Sequence, residues 1–327
     1  MRILVTGGAG YIGSATVKDL LSAGHEVVVL DTLERGHRES VDPRATLVEG
    51  DVGDSAIVSR ALDGCDAVMH LAGYIEVAES QAHPGRYFDN NVARPRVMLD
   101  AMVDAGVKAI VFSSTAAVYG EPETVPILET ADKHPINAYG ASKLMFEQML
   151  SWYESIHSMR SIRLRYFNVA GAWPDGSMGE AHDPETHIIP RLLKAVAGGR
   201  AEFEVFGSDY PTRDGTCVRD YIHVCDLAEA HRLGLEALGG GHDGGAFNLG
   251  NGEGFTNLDV VRTCGEVVGR EIDVTLGPRR PGDPAALVAS SERVSAELGW
   301  KAKHPELKGI IEDAWVWHES HPNGYNS

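Results

Sequence analysis

Thr6-Gly7-Gly8-Ala9-Gly10-Tyr11-Ile12-Gly13 follows a short apolar run, Arg2-Ile3-Leu4-Val5, and opens a segment of helical spacing over residues 12–23. Glycine lets a chain turn tightly between strand and helix, brings backbone N–H groups close to a pyrophosphate, and aims the helix N-terminus at the phosphates. Two spacings are open here: Gly8, Gly10 and Gly13 give GxGxxG, while Gly7, Gly10 and Gly13 give GxxGxxG. Neither is specific alone, but a second strand pattern at residues 25–30 ends at Asp31, 18 residues after Gly13, which is the context a dinucleotide site requires. A carboxylate there accepts hydrogen bonds from the adenosine ribose hydroxyls and repels a 2′-phosphate. The expected cofactor is NAD, with Arg35 nearby leaving NADP as the alternative.

The same alternation continues along the chain. Strand-like runs fall at residues 45–48, 67–70, 109–113 and 161–166, with helical stretches at 95–105 and 139–157. Strands alternating with helices predict an α/β fold built on a Rossmann-type, doubly wound parallel sheet. After about Gly171 the rhythm changes, so residues 1–171 are expected to form an NAD-binding domain. Residues 172–327 should form mainly a smaller α/β substrate domain, with some segments returning to the first. The glycine-rich stretch 238–245 reads as one surface loop.

Composition narrows the function. At roughly 150 residues per domain, 327 residues suggest two domains. The apolar fraction is 43% and no long apolar run occurs, which excludes a membrane span. A net charge of -18 repels polyanions, so a nucleic-acid partner is not expected. Small anions remain compatible, since screening acts over ~8 Å and a few local arginines dominate a cleft. Cys65, Cys217, Cys225 and Cys264 show no CxxC or ligand-like spacing, the mark of free thiols in a cytoplasmic protein. The fourteen histidines show neither HxxxH nor HExxH, so no metal is expected.

Tyr139-Gly140-Ala141-Ser142-Lys143 places a phenol and an ammonium at i and i+4 on one helix face. A tyrosine with a pKa near ~10 is a poor base at neutral pH; a neighbouring cation favours the phenolate. Upstream, Val111-Phe112-Ser113-Ser114-Thr115 brings a hydroxyl to the end of a parallel strand, where such sheets bind ligands.

TGGAGYIG, Asp31, SSTAAVYG, YGASK and RYFN together resemble the extended short-chain dehydrogenase/reductase family. FGSDYPTRDGTCVRDYIHVCDLAEAH at 206–231, RRPGDPAALVASS at 279–291 and the C-terminal WHESHPNGY resemble the UDP-glucose (UDP-galactose) 4-epimerases within it, nearly end to end. The resemblance implies that Tyr139 removes the sugar 4′-hydroxyl proton while hydride leaves C4′ for NAD+. The 4-keto sugar then turns about its pyrophosphate, and hydride returns to the opposite face, so that tightly bound NAD is regenerated each turnover. Tyr139 is then base and acid, Lys143 its pKa modifier and a ribose ligand, and Thr115 the hydroxyl on the reacting oxygen.

Implied cofactor contacts are Gly7, Gly10, Tyr11, Ile12, Gly13, Asp31, Leu33, Asp51, Val52, Leu71, Ala72, Gly73, Asn91, Ser113, Tyr166 and Phe167, with Tyr139 and Lys143. For the UDP-sugar the match implies Asn168, His187, Arg219, Arg280 and Asp283, with Leu287, Thr115 and Tyr139 beside the sugar. Guanidinium groups suit a diphosphate because they bind its oxygens in bidentate fashion.

Departures also inform. Ile75 stands where some members carry a lysine, so a charge on the cofactor phosphates is missing or replaced, and His187 stands where others have asparagine. Related dehydratases carry an Asp-Glu pair where this chain has Ala116 and Ala117, which leaves elimination without a proton carrier. Leu287 is of intermediate size, so UDP-glucose and UDP-galactose are the expected pair with N-acetylated forms possible substrates. A 4-epimerase of UDP-GlcNAc/GalNAc, UDP-glucuronate or a UDP-pentose stays open. A dinucleotide-sensing protein without catalysis is opposed by the presence of Tyr139, Lys143 and Thr115. The resemblance further implies a homodimer through helices near 91–105 and 139–157, with Leu144, Met145, Met149, Leu150 and Trp152 more simply read as mostly core.

Overall fold

The computed structural model describes residues 1–199, 202–280 and 283–325. Its strands are β1 (Arg2–Thr6), β2 (Glu26–Asp31), β3 (Thr46–Glu49), β4 (Ala67–His70), β5 (Ala109–Thr115), β6 (Arg160–Tyr166), β7 (Asn168–Ala170), β8 (Glu202–Phe206), β9 (Val218–Arg219), β10 (Tyr221–His223), β11 (Gly245–Leu249), β12 (Phe255–Thr256), β13 (Asp273–Gly277) and β14 (Ala286–Leu287). The helices are α1 (Tyr11–Ser22), α2 (Ser55–Ala61), α3 (Val77–Ala82), α4 (Pro84–Phe88), α5 (Arg94–Ala105), α6 (Ala138–His157), α7 (Ile188–Ala197), α8 (Val224–Gly239), α9 (Asn257–Val268), α10 (Glu292–Leu298) and α11 (Leu307–Ser320).

Seven strands form one parallel sheet in the order β11-β6-β5-β4-β1-β2-β3. The alternation of side chains sorts the sheet into two covered faces. Ile3, Val5, Val29, Val111 and Ile162 pack beneath α1 and α8, against Val17, Leu20, Leu227 and Leu235. Leu4, Val28, Val68, Ile110 and Phe112 pack on the other face against α2, α5 and α6, through Val58, Leu99, Met102, Phe146 and Leu150. Because both faces are covered, β5 is buried at every position, as a parallel sheet requires. The doubly wound reading of the sequence therefore holds.

One local expectation fails. Residues 238–245 are not a single loop: α8 runs to Gly239 and Gly245 already belongs to β11. Five residues flanked by glycine carried too little pattern, yet Phe247 and Leu249 are fully buried beside Ile162 and Leu164. Segments after Gly171 thus complete and cover the main sheet. The remainder forms a second, smaller core from α7, α9 and α11, in which Leu192, Val260, Ile310 and Ile311 are fully buried.

The chain winds outward from β1 to β2 and β3, then restarts at β4 on the other side of β1. Ligands of such sheets bind at this switch, outside the carboxyl ends of the strands. The ends of β1, β2, β4, β5 and β6 deliver the glycine turn, Asp31, Leu71, Thr115 and Phe167 to that edge.

Candidate active site

A cleft of about 400 Å³ opens there. Gly7, Gly10 and Gly13, the GxxGxxG spacing, line it, and Gly8 does not. Gly7 has φ +72, a left-handed conformation, and a Cβ on Gly13 would stand 2.0 Å from the Gly7 carbonyl oxygen. The turn therefore cannot be built with side chains at these positions. Gly10 is the N-cap of α1 and offers no side-chain cap, which leaves first-turn N–H groups free for an anion. Asp31 lines the same cleft; its carboxylate accepts from the backbone N–H of Ala9 and of Leu33, each at 2.9 Å. Burial raises its pKa, against the lowering effect of those bonds. Leu33, at φ 58, is outside the cleft wall and contributes through this N–H. Asp51 accepts from Arg94 Nη1 at 2.5 Å and from the Gly53 N–H at 2.7 Å, which fixes it beside Val52 in the wall.

Tyr139 and Lys143 come from the first turns of α6, which Asn137 caps by accepting the Gly140 N–H at 2.8 Å. Both line the cleft together with Thr115, Tyr166, Phe167 and Asn168. Lys143 Nζ donates to the Ser113 carbonyl at 3.0 Å and lies 5.0 Å from the Phe112 ring centroid. Burial pushes its pKa down to about 8. Burial also pushes the Tyr139 phenol well above its ordinary value, opposed by a hydrogen bond with Thr115. With the phenol's pKa raised by burial, additional positive charge near it is what would make it a base at neutral pH.

α6 is locked to the sheet one turn further on. Glu147 accepts from Arg165 Nε at 2.9 Å and Nη2 at 2.6 Å, and from Ser114 Oγ at 2.6 Å. Tyr139, Lys143 and Glu147 share one helix face, so this buried bidentate pair fixes the height of the phenol relative to Thr115.

Six residues expected at ligands are not in the wall: Leu33, Asn91, Ser113, Arg219, Arg280 and Asp283. Asn91 sits on a π-helical turn, Asp89–Ala93, and spends its amide on protein groups: Tyr74 N–H at 2.9 Å, Tyr74 carbonyl at 3.0 Å and Ser142 Oγ at 3.0 Å. It positions the Gly73 loop against α6. Ser113 is buried between the Tyr166 hydroxyl at 2.9 Å and His231 Nε2 at 3.2 Å, and reaches the site only through its carbonyl. Arg219 donates to the Val218 carbonyl, to the Pro284 carbonyl and to Asp283 Oδ1, while Arg280 stacks over Phe206 at 4.4 Å. Arg219 and Leu287 are register partners between β9 and β14, and Leu287 does line the cleft, so the arginine lies one strand from the wall. Residues 281 and 282, within RRPGDPAALVASS, lie outside the described residues. His70 is packed, with Thr6 Oγ1 at 2.7 Å and its pKa pushed down to about 3 by burial.

The wall also contains Arg35, noted above beside Asp31, and residues not anticipated, including Tyr74, Glu180 and His182. Arg35 is a guanidinium at the cleft, in a region where Ile75 supplies no charge. His187 is in the wall as expected; burial alone would depress it, but Glu180 and Glu185 hold its imidazole well above the ordinary range.

Residues 3–250 match the model of the NAD dependent epimerase/dehydratase family. The chain belongs to that family. The match takes in the seven-stranded sheet from Ile3 onward, and Arg280, Asp283 and Leu287 lie beyond it. Among relatives, a UDP-glucose 4-epimerase of Lacticaseibacillus casei is 51% identical over 327 residues, covering 99% of each chain. The crystal structure of a Brucella ovis UDP-glucose 4-epimerase with NAD superposes with a TM-score of 0.93 at 43% identity, covering 96% of this chain and 97% of that one. A Bifidobacterium longum UDP-glucose 4-epimerase with NAD+ and UDP also gives 0.93, at 36% identity, covering 99% and 100%. Ala116 and Ala117, the two residues after the strand-end Thr115, line the cleft wall and carry no ionisable group.

Proposed function

We propose that this chain is an NAD-dependent isomerase that interconverts UDP-glucose and UDP-galactose at C4′. The observation that carries the reading is the convergence of Tyr139, Lys143 and Thr115 on one cleft with the glycine turn and Asp31. The turn fits NAD: an uncapped helix start faces the phosphates, and a strand-end carboxylate stands where the adenosine ribose would lie. Bound NAD supplies the acceptor and donor of hydride. The chain's residues handle the proton. Tyr139 takes the 4′-hydroxyl proton and later returns it, Lys143 stabilises the phenolate, and Thr115 holds the reacting oxygen. Tyr166 and Phe167 border the cofactor, Asn168 the UDP-sugar, Leu287 limits the sugar's width, and Arg219, Arg280 and Asp283 belong to the diphosphate end. In this reading residues 1–171 mainly carry the cofactor and 172–327 mainly the nucleotide-sugar.

A homodimer and a cytoplasmic setting fit the same reading. Among the described residues the four cysteines are free and no helix is long and apolar enough to cross a membrane. Free thiols suit a reducing compartment.

The test is a coupled assay of UDP-galactose conversion with bound NAD quantified in parallel. Wild type converts the sugar, and Tyr139→Phe keeps NAD but loses at least about 100-fold in turnover, the scale of a positioned acid-base group. Undiminished turnover in Tyr139→Phe would remove the phenol from the reaction.

A further inference from the structure

The segment Glu180-Ala181-His182-Asp183-Pro184-Glu185-Thr186-His187 repeats Glu-x-His five residues apart, in the loop that leads into α7. The side chains of Glu180, His182, Glu185 and His187 fold toward a common point, and one donor atom from each lies within 4.8 Å of all the others. His187 Nδ1 is 2.7 Å from Glu180 Oε1 and 3.2 Å from Glu185 Oε1, and His182 Nδ1 is 3.0 Å from the same Glu180 oxygen. Donors around a tetrahedral ion with bonds of 2.0–2.2 Å stand about 3.4 Å apart. Small rotations of these side chains reach that spacing.

A second observation points to a missing partner. Glu185 Oε2 is buried without a hydrogen bond, in a side chain 7% exposed, with Lys194 Nζ and His182 Nδ1 both 3.9 Å away and beyond hydrogen-bond reach. An orphaned carboxylate oxygen inside a protein calls for a cation. The backbone that presents the cluster is held from outside. The Glu180 carbonyl accepts from Trp317 Nε1 at 3.2 Å, the Asp183 carbonyl from Arg35 Nη1 at 2.9 Å, and His37 Nε2 lies 2.9 Å from the Ala181 carbonyl.

We propose that Glu180, His182, Glu185 and His187 form a binding site for one divalent transition-metal ion, zinc by its ligand chemistry, in the wall of the cleft. Two imidazoles with two carboxylates suit zinc, whereas calcium and magnesium take oxygen donors. Four protein ligands close a tetrahedral site, so the ion is structural and has no part in the proton or hydride transfers. On binding, the protons held between these nitrogens and oxygens pass to solvent. The ion ties the loop to the glycine turn, since the His182 ring meets Tyr11 edge-on at 6.3 Å and Tyr11 donates to the Gly171 carbonyl at 2.7 Å. None of this depends on which sugar is epimerised.

The experiment uses the full chain without a histidine tag, stripped with a chelator, incubated with zinc sulfate and desalted, with metal measured by mass spectrometry. Close to one zinc per chain is expected, with a higher thermal unfolding temperature, and cobalt(II) in its place should give the intense visible bands of a tetrahedral site. Glu185→Ala and His182→Ala should each weaken zinc retention by at least about tenfold and lose the thermal shift. Substoichiometric zinc in wild type, a weak octahedral cobalt spectrum, or equal retention in both variants overturns the site. Should either variant fail to fold, the wild-type cobalt spectrum still decides.

Discussion

Lys143 is 3% exposed, with its ammonium held by the Ser113 carbonyl. Its folded pKa of about 8 lies below the ordinary lysine value of 10.5. Between these values the unfolded chain binds more protons, so stability rises with pH across that window; below about 8 the cost of burying the charge is fully present. At 1.36 kcal/mol per unit the cost is about 3 kcal/mol, less about 1 kcal/mol for the hydrogen bond. Lys143→Met should therefore abolish epimerisation yet stabilise the cofactor-free chain by about 2 kcal/mol at pH 7, with the gain shrinking toward pH 10–11. Urea denaturation at several pH values checks this, and a variant no more stable than wild type at pH 7 would refute it. The pair at 139 and 143 was legible because an i, i+4 spacing is a local property of a helix. Asn91 and Ser113 were not, since what they touch is set by strands and helices distant in sequence. The cluster at 180–187 escaped because HxxxH describes ligands on a helix, whereas these sit on a loop whose path α11 and the segment after β2 determine.

α6 shows where element-scale reading succeeds and stops. Its span is legible to within one residue, from a long periodic stretch behind Asn137. Its faces are not. Phe146, Leu150, Tyr139 and Lys143 are buried on one side, but Met145, Trp152 and Ile156 are 47%, 68% and 67% exposed. At 3.6 residues per turn those three fall within about 40° of each other, opposite the buried side. Apolar residues on both sides of a helix fit two partners, and only packing tells which side meets the sheet. The exposed stripe supports the homodimer, because a soluble monomer rarely leaves such a contiguous surface uncovered. Trp152→Asp should shift the chain from dimer to monomer in sedimentation velocity at micromolar concentration, because a charge at the centre of an apolar contact is left unpaired. A wild-type monomer, or a variant that sediments as wild type, would place any dimer contact elsewhere.

Across the whole molecule, the sequence suggested two domains with some later segments returning to the first, and the sheet shows how the two halves depend on each other. β11, from the second half, is the edge strand beside β6, and its Phe247 and Leu249 are fully buried in the main core. α8 covers the same face through Leu227, Ala230, Leu235 and Leu238, all 0% exposed. A first half without these elements would expose β6 as an open edge and uncover the part of one face that α8 shields, a form that parallel sheets do not tolerate. Domain order along the chain and cooperativity in space are thus different properties, and short strands such as Gly245–Leu249 carry the second with little trace in pattern. The cofactor-free chain should accordingly unfold in calorimetry as one transition, with van't Hoff and calorimetric enthalpies in agreement. Two resolved transitions, or a folded and soluble fragment of residues 1–171, would mean that β11 and α8 add little to the first core, against the burial of Phe247 and Leu235.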